Sequence, residues 1–138
     1  MVGIVIVTHG ELADGLLDAA RAVAGRAERC TSVCLREGDS VEELGPRIAS
    51  ALDSVDDGDG VFVLVDMWGA SPFNSAAVLA LRAASPLEVI AGVNLPMVLE
   101  LLVQRDAKEF KGLTAIALTA GRDGIRGLSQ AMQDQEDR

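Results

Sequence analysis

Short runs of branched apolar residues alternate with longer stretches of helical spacing along almost the whole chain, and this alternation constrains the fold most. Val2-Gly3-Ile4-Val5-Ile6-Val7 is near-continuously apolar, as a strand buried on both faces should be. Leu12, Leu16, Ala20 and Val23 then repeat at helical spacing and stop at Gly25. Ser32-Val33-Cys34-Leu35 reads as a second strand, followed by a helical face of Val41, Leu44, Ile48 and Leu52. Ser40 with Glu43 fits a capping box, and Pro46 falls inside the expected helix, where it would bend it. Val61-Phe62-Val63-Leu64-Val65 is the third strand, entered from the turn-rich Asp56-Asp57-Gly58-Asp59-Gly60. A helix from about Pro72 to Ala84 leads to a fourth strand, Glu88-Val89-Ile90-Ala91.

Asn94 caps a further helix running to about Arg105. Leu113 to Ala120 fits helix or strand equally, Gly121-Arg122-Asp123-Gly124 reads as a break, and Ile125 to Leu128 suits a short strand. Residues 1–128 are expected to form one domain, with 129–138 as a polar, frayed tail. Strands alternating with helices at this spacing imply an α/β architecture, a doubly wound and mainly parallel sheet with helices on both faces. In such sheets ligands sit beyond the carboxyl ends of the strands, where the winding reverses. For the order 2-1-3-4 that place is flanked by Thr8-His9-Gly10 and by Asp66 to Asn74.

Composition narrows the partners. The chain carries 21 acidic against 12 basic side chains, a net charge of -9, which disfavours nucleic acid and anionic membranes as main partners. No apolar run approaches the ~20 residues of a bilayer span, and no basic segment precedes the first strand as in a signal peptide. Cys30 and Cys34 lie on one strand, where their Cα atoms would be about 13 Å apart and beyond disulfide reach. Two cysteines and one histidine do not make an ordinary structural zinc site, so no metal is expected. A reducing cytoplasm fits these thiols.

His9 is the only histidine and lies just past a buried strand. A satisfied structural histidine at a strand end is the plainer reading of His9 alone; an opposing Asp66 changes it. A carboxylate that accepts from one imidazole nitrogen fixes the tautomer and frees the other nitrogen as a nucleophile. Ser71-Pro72 has the form of an N-cap followed by Pro at the first helical position, which would leave the amides of Phe73 and Asn74 facing an anion such as a phosphoryl group. In isolation that dipeptide only starts a helix. Trp68 at a crevice mouth could anchor a partner, or fill core space.

Three segments resemble the signature segments of the mannose-family enzyme IIA domains of the bacterial phosphoenolpyruvate-dependent sugar phosphotransferase system. They are Thr8-His9-Gly10-Glu11-Leu12, Val65 to Asn74, and Ala91-Gly92-Val93-Asn94-Leu95-Pro96-Met97, and the likeness runs from Met1 to about Leu128. The resemblance implies that His9 accepts a phosphoryl group, that Asp66 orients it, and that Ser71 with helix-start amides holds the phosphoryl oxygens. It implies the phosphocarrier HPr as donor and an enzyme IIB as acceptor, with no cofactor. Trp68, Leu95, Pro96 and Met97 are then candidates for a partner-binding rim, with core packing as the rival for Leu95 and Met97. Ala70 replaces the family's second glycine after the tryptophan. Gly121 to Ile125 matches the family's C-terminal segment, which implies an antiparallel strand exchanged within a homodimer.

The residues bear on three rival functions. A histidine phosphatase or mutase needs a second histidine and phosphate-binding arginines, and Thr8 stands where such an arginine would be. A nucleotide or flavin module lacks both the Walker lysine motif and a dinucleotide fingerprint. A regulatory phosphocarrier, reporting phosphoryl flux without moving sugar, uses the same chemistry and stays open.

Overall fold

The computed structural model describes residues 1–138. Four strands, β1 (Gly3–His9), β2 (Cys30–Leu35), β3 (Val61–Val65) and β4 (Leu87–Ala91), form one parallel sheet in the order β2-β1-β3-β4. The helices are α1 (Leu12–Ala24), α2 (Leu44–Val55), α3 (Ser71–Ala80), α4 (Leu95–Gln104), α5 (Phe110–Asp123) and α6 (Leu128–Glu136). The inner strands β1 and β3 are buried along nearly their whole length, whereas the edge strands β2 and β4 are partly open. That division explains why the inner strands read as unbroken apolar runs.

Alternate residues of each strand serve two cores. Ile4, Ile6, Phe62 and Leu64 face α1, α4 and α5. Val5, Val7, Val61, Val63 and Val65 face α2 and α3. His9 follows Val5 and Val7 by parity and so projects on the α3 side, whereas Thr8 follows Ile4 and Ile6 toward α1.

Several expectations are corrected by the structure. Helix α1 buries Ala13, Leu17 and Ala20, so its inward face is rotated from the expected stripe and Leu12 and Val23 are exposed. Gly25 ends that helix in the left-handed conformation, φ 76°. No side-chain cap forms at Ser40, which leads into a single 3-10 turn over Val41–Glu43. Because α2 begins at Leu44, Pro46 lies in its first turn, where the missing N–H has no intrahelical acceptor to lose. The ambiguous stretch 113–120 is helical: Leu113, Ala117 and Gly121 are buried four residues apart on one face of α5. Gly121 is therefore no break. A Cβ there would stand 2.8 Å from Met97 Cε, so the glycine permits α4 and α5 to approach closely.

Ile125 to Leu128, expected as an antiparallel strand, forms none in the single chain, where no sheet edge pairs with it. Most of the expected frayed tail, 129–138, belongs instead to α6, a helix whose Leu128, Ala131 and Met132 stand among Ser, Gln, Asp and Glu and which buries none of its residues. Cys30 and Cys34 are free thiols.

Gly60 precedes β3 with φ 101°, and a Cβ there would lie 2.6 Å from the Phe110 ring and 2.8 Å from the Pro86 carbonyl. Phe110 in turn stacks on Phe62, with ring centroids 4.6 Å apart. Gly60→Ala should therefore cost on the order of 2–4 kcal/mol, from backbone strain and overpacking together. Urea unfolding measures it; a loss below ~1 kcal/mol would refute the steric argument.

Candidate functional site

Parallel pairing brings the ends of β1 and β3 together, with Val7 opposite Val65, so the residues that follow them meet beyond the sheet. Asp66 Oδ2 accepts two hydrogen bonds from His9: the backbone N–H at 3.0 Å and ring Nδ1 at 2.8 Å. An ionised carboxylate only accepts, so Nδ1 carries a proton, and in the neutral ring the lone pair is on Nε2. The His9 side chain is 46% exposed and that of Asp66 only 14%, a reachable ring on a largely sheltered carboxylate.

Burial pushes the Asp66 carboxyl upward, but the hydrogen bonds from the His9 backbone and ring and the charge of that ring outweigh it. The net effect holds its pKa below the ordinary carboxylate value. Its other oxygen, Oδ1, is buried without a partner, so the hydrogen-bonding capacity in use is concentrated on Oδ2. The carboxylate is thus ionised at neutral pH and directed at one ring nitrogen.

The backbone around His9 is fixed on every side. Gly10 takes φ 58°, which glycine adopts without strain, and donates its N–H to Leu35 O at 2.8 Å. The hydroxyl of Thr8 accepts from Ala13 N at 2.7 Å and donates to His9 O at 3.1 Å. Sequence reading missed Thr8 as a contributor. Its signal was a polar residue on the inward, α1-facing stripe of an otherwise apolar strand.

The loop from Asp66 enters α3 one residue earlier than expected. Ala70 is the N-cap, in extended backbone (φ -85°, ψ 175°) that needs no glycine, so the alanine at this position is accommodated without strain. Ser71 is the first helical residue and makes no side-chain cap bond; Pro72 follows it and is buried. The amides of Ser71 and Phe73 have no protein acceptor and lie at the positive end of the helix. Asn74 differs from expectation, because its amide already donates to Ala70 O at 2.9 Å. Its side chain instead donates to Gly69 O at 3.0 Å and braces the turn, where Gly69 has φ 77°.

Trp68 is 77% exposed and rests on the Phe73 ring, with centroids 4.3 Å apart, leaving an aromatic pair open to solvent at the rim. Asn94 caps α4 by accepting from Met97 N, and its Nδ2 ties that end to Gly121 O on α5. Leu95 and Pro96 are half-buried at this helix start. Met97 is 3% exposed and belongs to the core, so the expectation of a rim residue there is corrected: its side chain fills the space against Gly121. No three His, Cys, Asp or Glu side chains converge as a metal ion would require.

The chain is similar to known proteins over most of its length. The family model described as "PTS system fructose IIA component" matches residues 3–118. The mannose-specific EIIAB component of Escherichia coli (strain K12) is 39% identical over 128 residues, 92% of this chain and 39% of that protein, so the chain spans well under half of this relative. The sorbose-specific EIIA component of Klebsiella pneumoniae is 31% identical over 102 residues, 74% of this chain and 73% of that protein. Among solved structures, the phosphotransferase component EIIA of Streptococcus agalactiae superposes with a TM-score of 0.87 at 27% identity, covering 94% of this chain and 99% of that one. The IIA protein associated with the fucose utilization operon of Streptococcus pneumoniae gives 0.84 at 28% identity, covering 95% and 96%. A match over most of the sequence, and a sheet that carries His9 to Asp66 at the strand ends, together show that the chain belongs to the mannose-family enzyme IIA domains of the sugar phosphotransferase system.

Proposed function

We propose that the chain is a phosphocarrier of a sugar phosphotransferase system, taking a phosphoryl group from phospho-HPr on His9 Nε2 and passing it to an enzyme IIB. The observation that carries this reading is the His9 Nδ1 to Asp66 Oδ2 hydrogen bond of 2.8 Å on a half-exposed ring. The sugar-system role itself follows from the family and from the relatives described above.

In the forward step the Nε2 lone pair attacks phosphorus in line with the bond to the donor's imidazole. That bond breaks, its electron pair returns to the donor ring, and the proton on Nδ1 of His9 stays in place. The phosphorylated ring is then cationic, and the Asp66 carboxylate offsets that charge across the same hydrogen bond. The free amides of Ser71 and Phe73, with the Ser71 hydroxyl, are the donors suited to the phosphoryl oxygens. Positioning and electrostatics are all the protein needs to supply in such a transfer, so no cofactor enters.

The exposed Trp68 and Phe73 pair, with Leu95 and Pro96, forms the rim on which donor and acceptor dock in turn. No helix is long and apolar enough to cross a membrane, which accords with transfer in the cytoplasm to a membrane-associated partner. Incubation with phosphoenolpyruvate, the general phosphotransferase proteins and HPr should place one acid-labile phosphate on each chain, removable by an enzyme IIB. A chain that takes no label from phospho-HPr would sink the reading.

We take residues 1–128 as the domain proper, and the chain as pairing into a homodimer through the segment around Ile125. Ile125, Leu128 and Met132 are 79%, 78% and 55% exposed in the single chain, an apolar row that pairing would cover. Sedimentation equilibrium should return about twice the chain mass of 14.4 kDa, and a monomer at micromolar concentration would exclude the pairing.

A further inference from the structure

We propose that the Thr8 hydroxyl is a positioning group for the His9 imidazole, setting the tautomer through the backbone of His9. The inference rests on the phosphocarrier reading for its purpose, although not for its geometry. Thr8 and Arg105 are the two buried polar side chains of the chain, and Thr8 is fully buried. A hydroxyl sealed in an apolar interior is costly unless it is bonded, and this one is bonded twice. It accepts from Ala13 N at 2.7 Å and donates to His9 O at 3.1 Å.

Those two bonds span the turn at Gly10. The accepted bond fixes the hydroxyl on the first turn of α1, which has no cap from Glu11, its own N-cap residue. The donated bond then fixes the carbonyl of His9 to that helix. On the other side of the same residue, Asp66 Oδ2 receives both the His9 N–H and its ring Nδ1. The amide and the ring of His9 reach one oxygen of Asp66, so a shift of the His9 backbone carries the ring with it. The Gly10 N–H, in the same peptide unit as that carbonyl, donates to Leu35 O at 2.8 Å and holds the unit from the β2 side, while the Thr8 hydroxyl holds it from the α1 side. Thr8 therefore acts through His9 and touches no reacting atom.

The ring of wild-type His9, labelled with ¹⁵N, should show one neutral tautomer with the proton on Nδ1. Thr8→Val keeps the shape and removes both hydrogen bonds; it should populate the second tautomer and slow phosphoryl acceptance from phospho-HPr by about tenfold to a hundredfold, the range expected of a small misplacement. Thr8→Ser, which retains the hydroxyl, should restore one tautomer and a rate within about threefold of wild type, relative to the same positional cost. A purely structural role would change thermal stability and leave the tautomer alone.

A Thr8→Val protein with a single tautomer and the wild-type rate would overturn the proposal, as would a Thr8→Ser protein that behaves like Thr8→Val. If the valine variant does not fold, Thr8→Ala carries the same expectation, and an even tautomer mixture in wild type would overturn the proposal before any substitution. The ring measurement uses no phosphate. A wild-type chain that resists phosphorylation thus defeats the phosphocarrier reading, while the role of Thr8 is still judged by the ring.

Discussion

His9→Ala should abolish phosphoryl acceptance completely, leaving no acid-labile label after incubation with phosphoenolpyruvate and the general phosphotransferase proteins. The chain has one histidine, so no second imidazole can substitute. The hydroxyl of Ser71 has no general base bonded to it, and the Asp66 carboxylate is only 14% exposed, with its Oδ1 buried. The loss should exceed 10⁴-fold, on the scale seen when an activated nucleophile is removed. Fold should survive, because the side chain is 46% exposed and its removal leaves no closed cavity; surface substitutions of this kind stay within about 1 kcal/mol. Far-UV circular dichroism and the urea midpoint separate loss of chemistry from loss of structure. Label retained by a folded His9→Ala protein would remove His9 from the mechanism.

The fold was legible where one physical effect dominated. Strands β1 and β3 are buried on both faces, and nothing but a near-continuous apolar run satisfies that, so their limits were read closely. Helix α1 was found with its face misassigned. It holds adjacent Leu16 and Leu17 among several alanines, so two stripes that share Ala20 compete, and the one carrying Ala13 and Leu17 turns inward because the small Ala13 and Ala20 let the helix lie close to the sheet. Leucine spacing alone could not decide between them. At Gly121 the glycine suggested a break, yet its missing side chain serves contact with Met97 across a helix pair, a tertiary demand that local propensity does not contain. The segment after Gly124 shows the limit of pattern reading, since a strand is defined by its pairing partner and the single chain supplies none for Ile125 to Leu128.

At the candidate site, His9 and Asp66 were legible through topology: the strand order puts the ends of β1 and β3 side by side. The identity of the donors at α3 was less so. Shifting the helix start by one residue, from Ser71 as cap to Ala70, moves the free amides from Phe73 and Asn74 to Ser71 and Phe73. Backbone conformation set that boundary, and the dipeptide Ser71-Pro72 is compatible with either. Thr8 escaped notice because its function is a pair of hydrogen bonds across a turn, visible only when Ala13 and His9 O are placed in space.

Asp66→Asn should slow phosphoryl transfer on the order of 10²-fold or more while leaving the fold intact, the scale set by neutralising a carboxylate that orients a reacting histidine. The amide oxygen of asparagine can still accept from the His9 N–H, so the backbone arrangement persists. What disappears is the charge that offsets the phosphorylated ring, together with much of the preference for a proton on Nδ1. The substitution also separates a pH effect. Because the folded Asp66 carboxyl titrates below its ordinary value of about 3.9, its contribution to stability is fully present above that value and is lost as pH falls through the lower, folded value. Neutral-pH transfer therefore always meets an ionised Asp66. The stability difference between wild type and Asp66→Asn should shrink as pH falls through the folded Asp66 value. Rapid-quench transfer from phospho-HPr and urea titrations at pH 3 to 7 measure both. An Asp66→Asn protein with undiminished transfer would show that the bond to Nδ1 is structural only, and the phosphoryl chemistry would then have to be drawn from the helix-start donors of α3 alone.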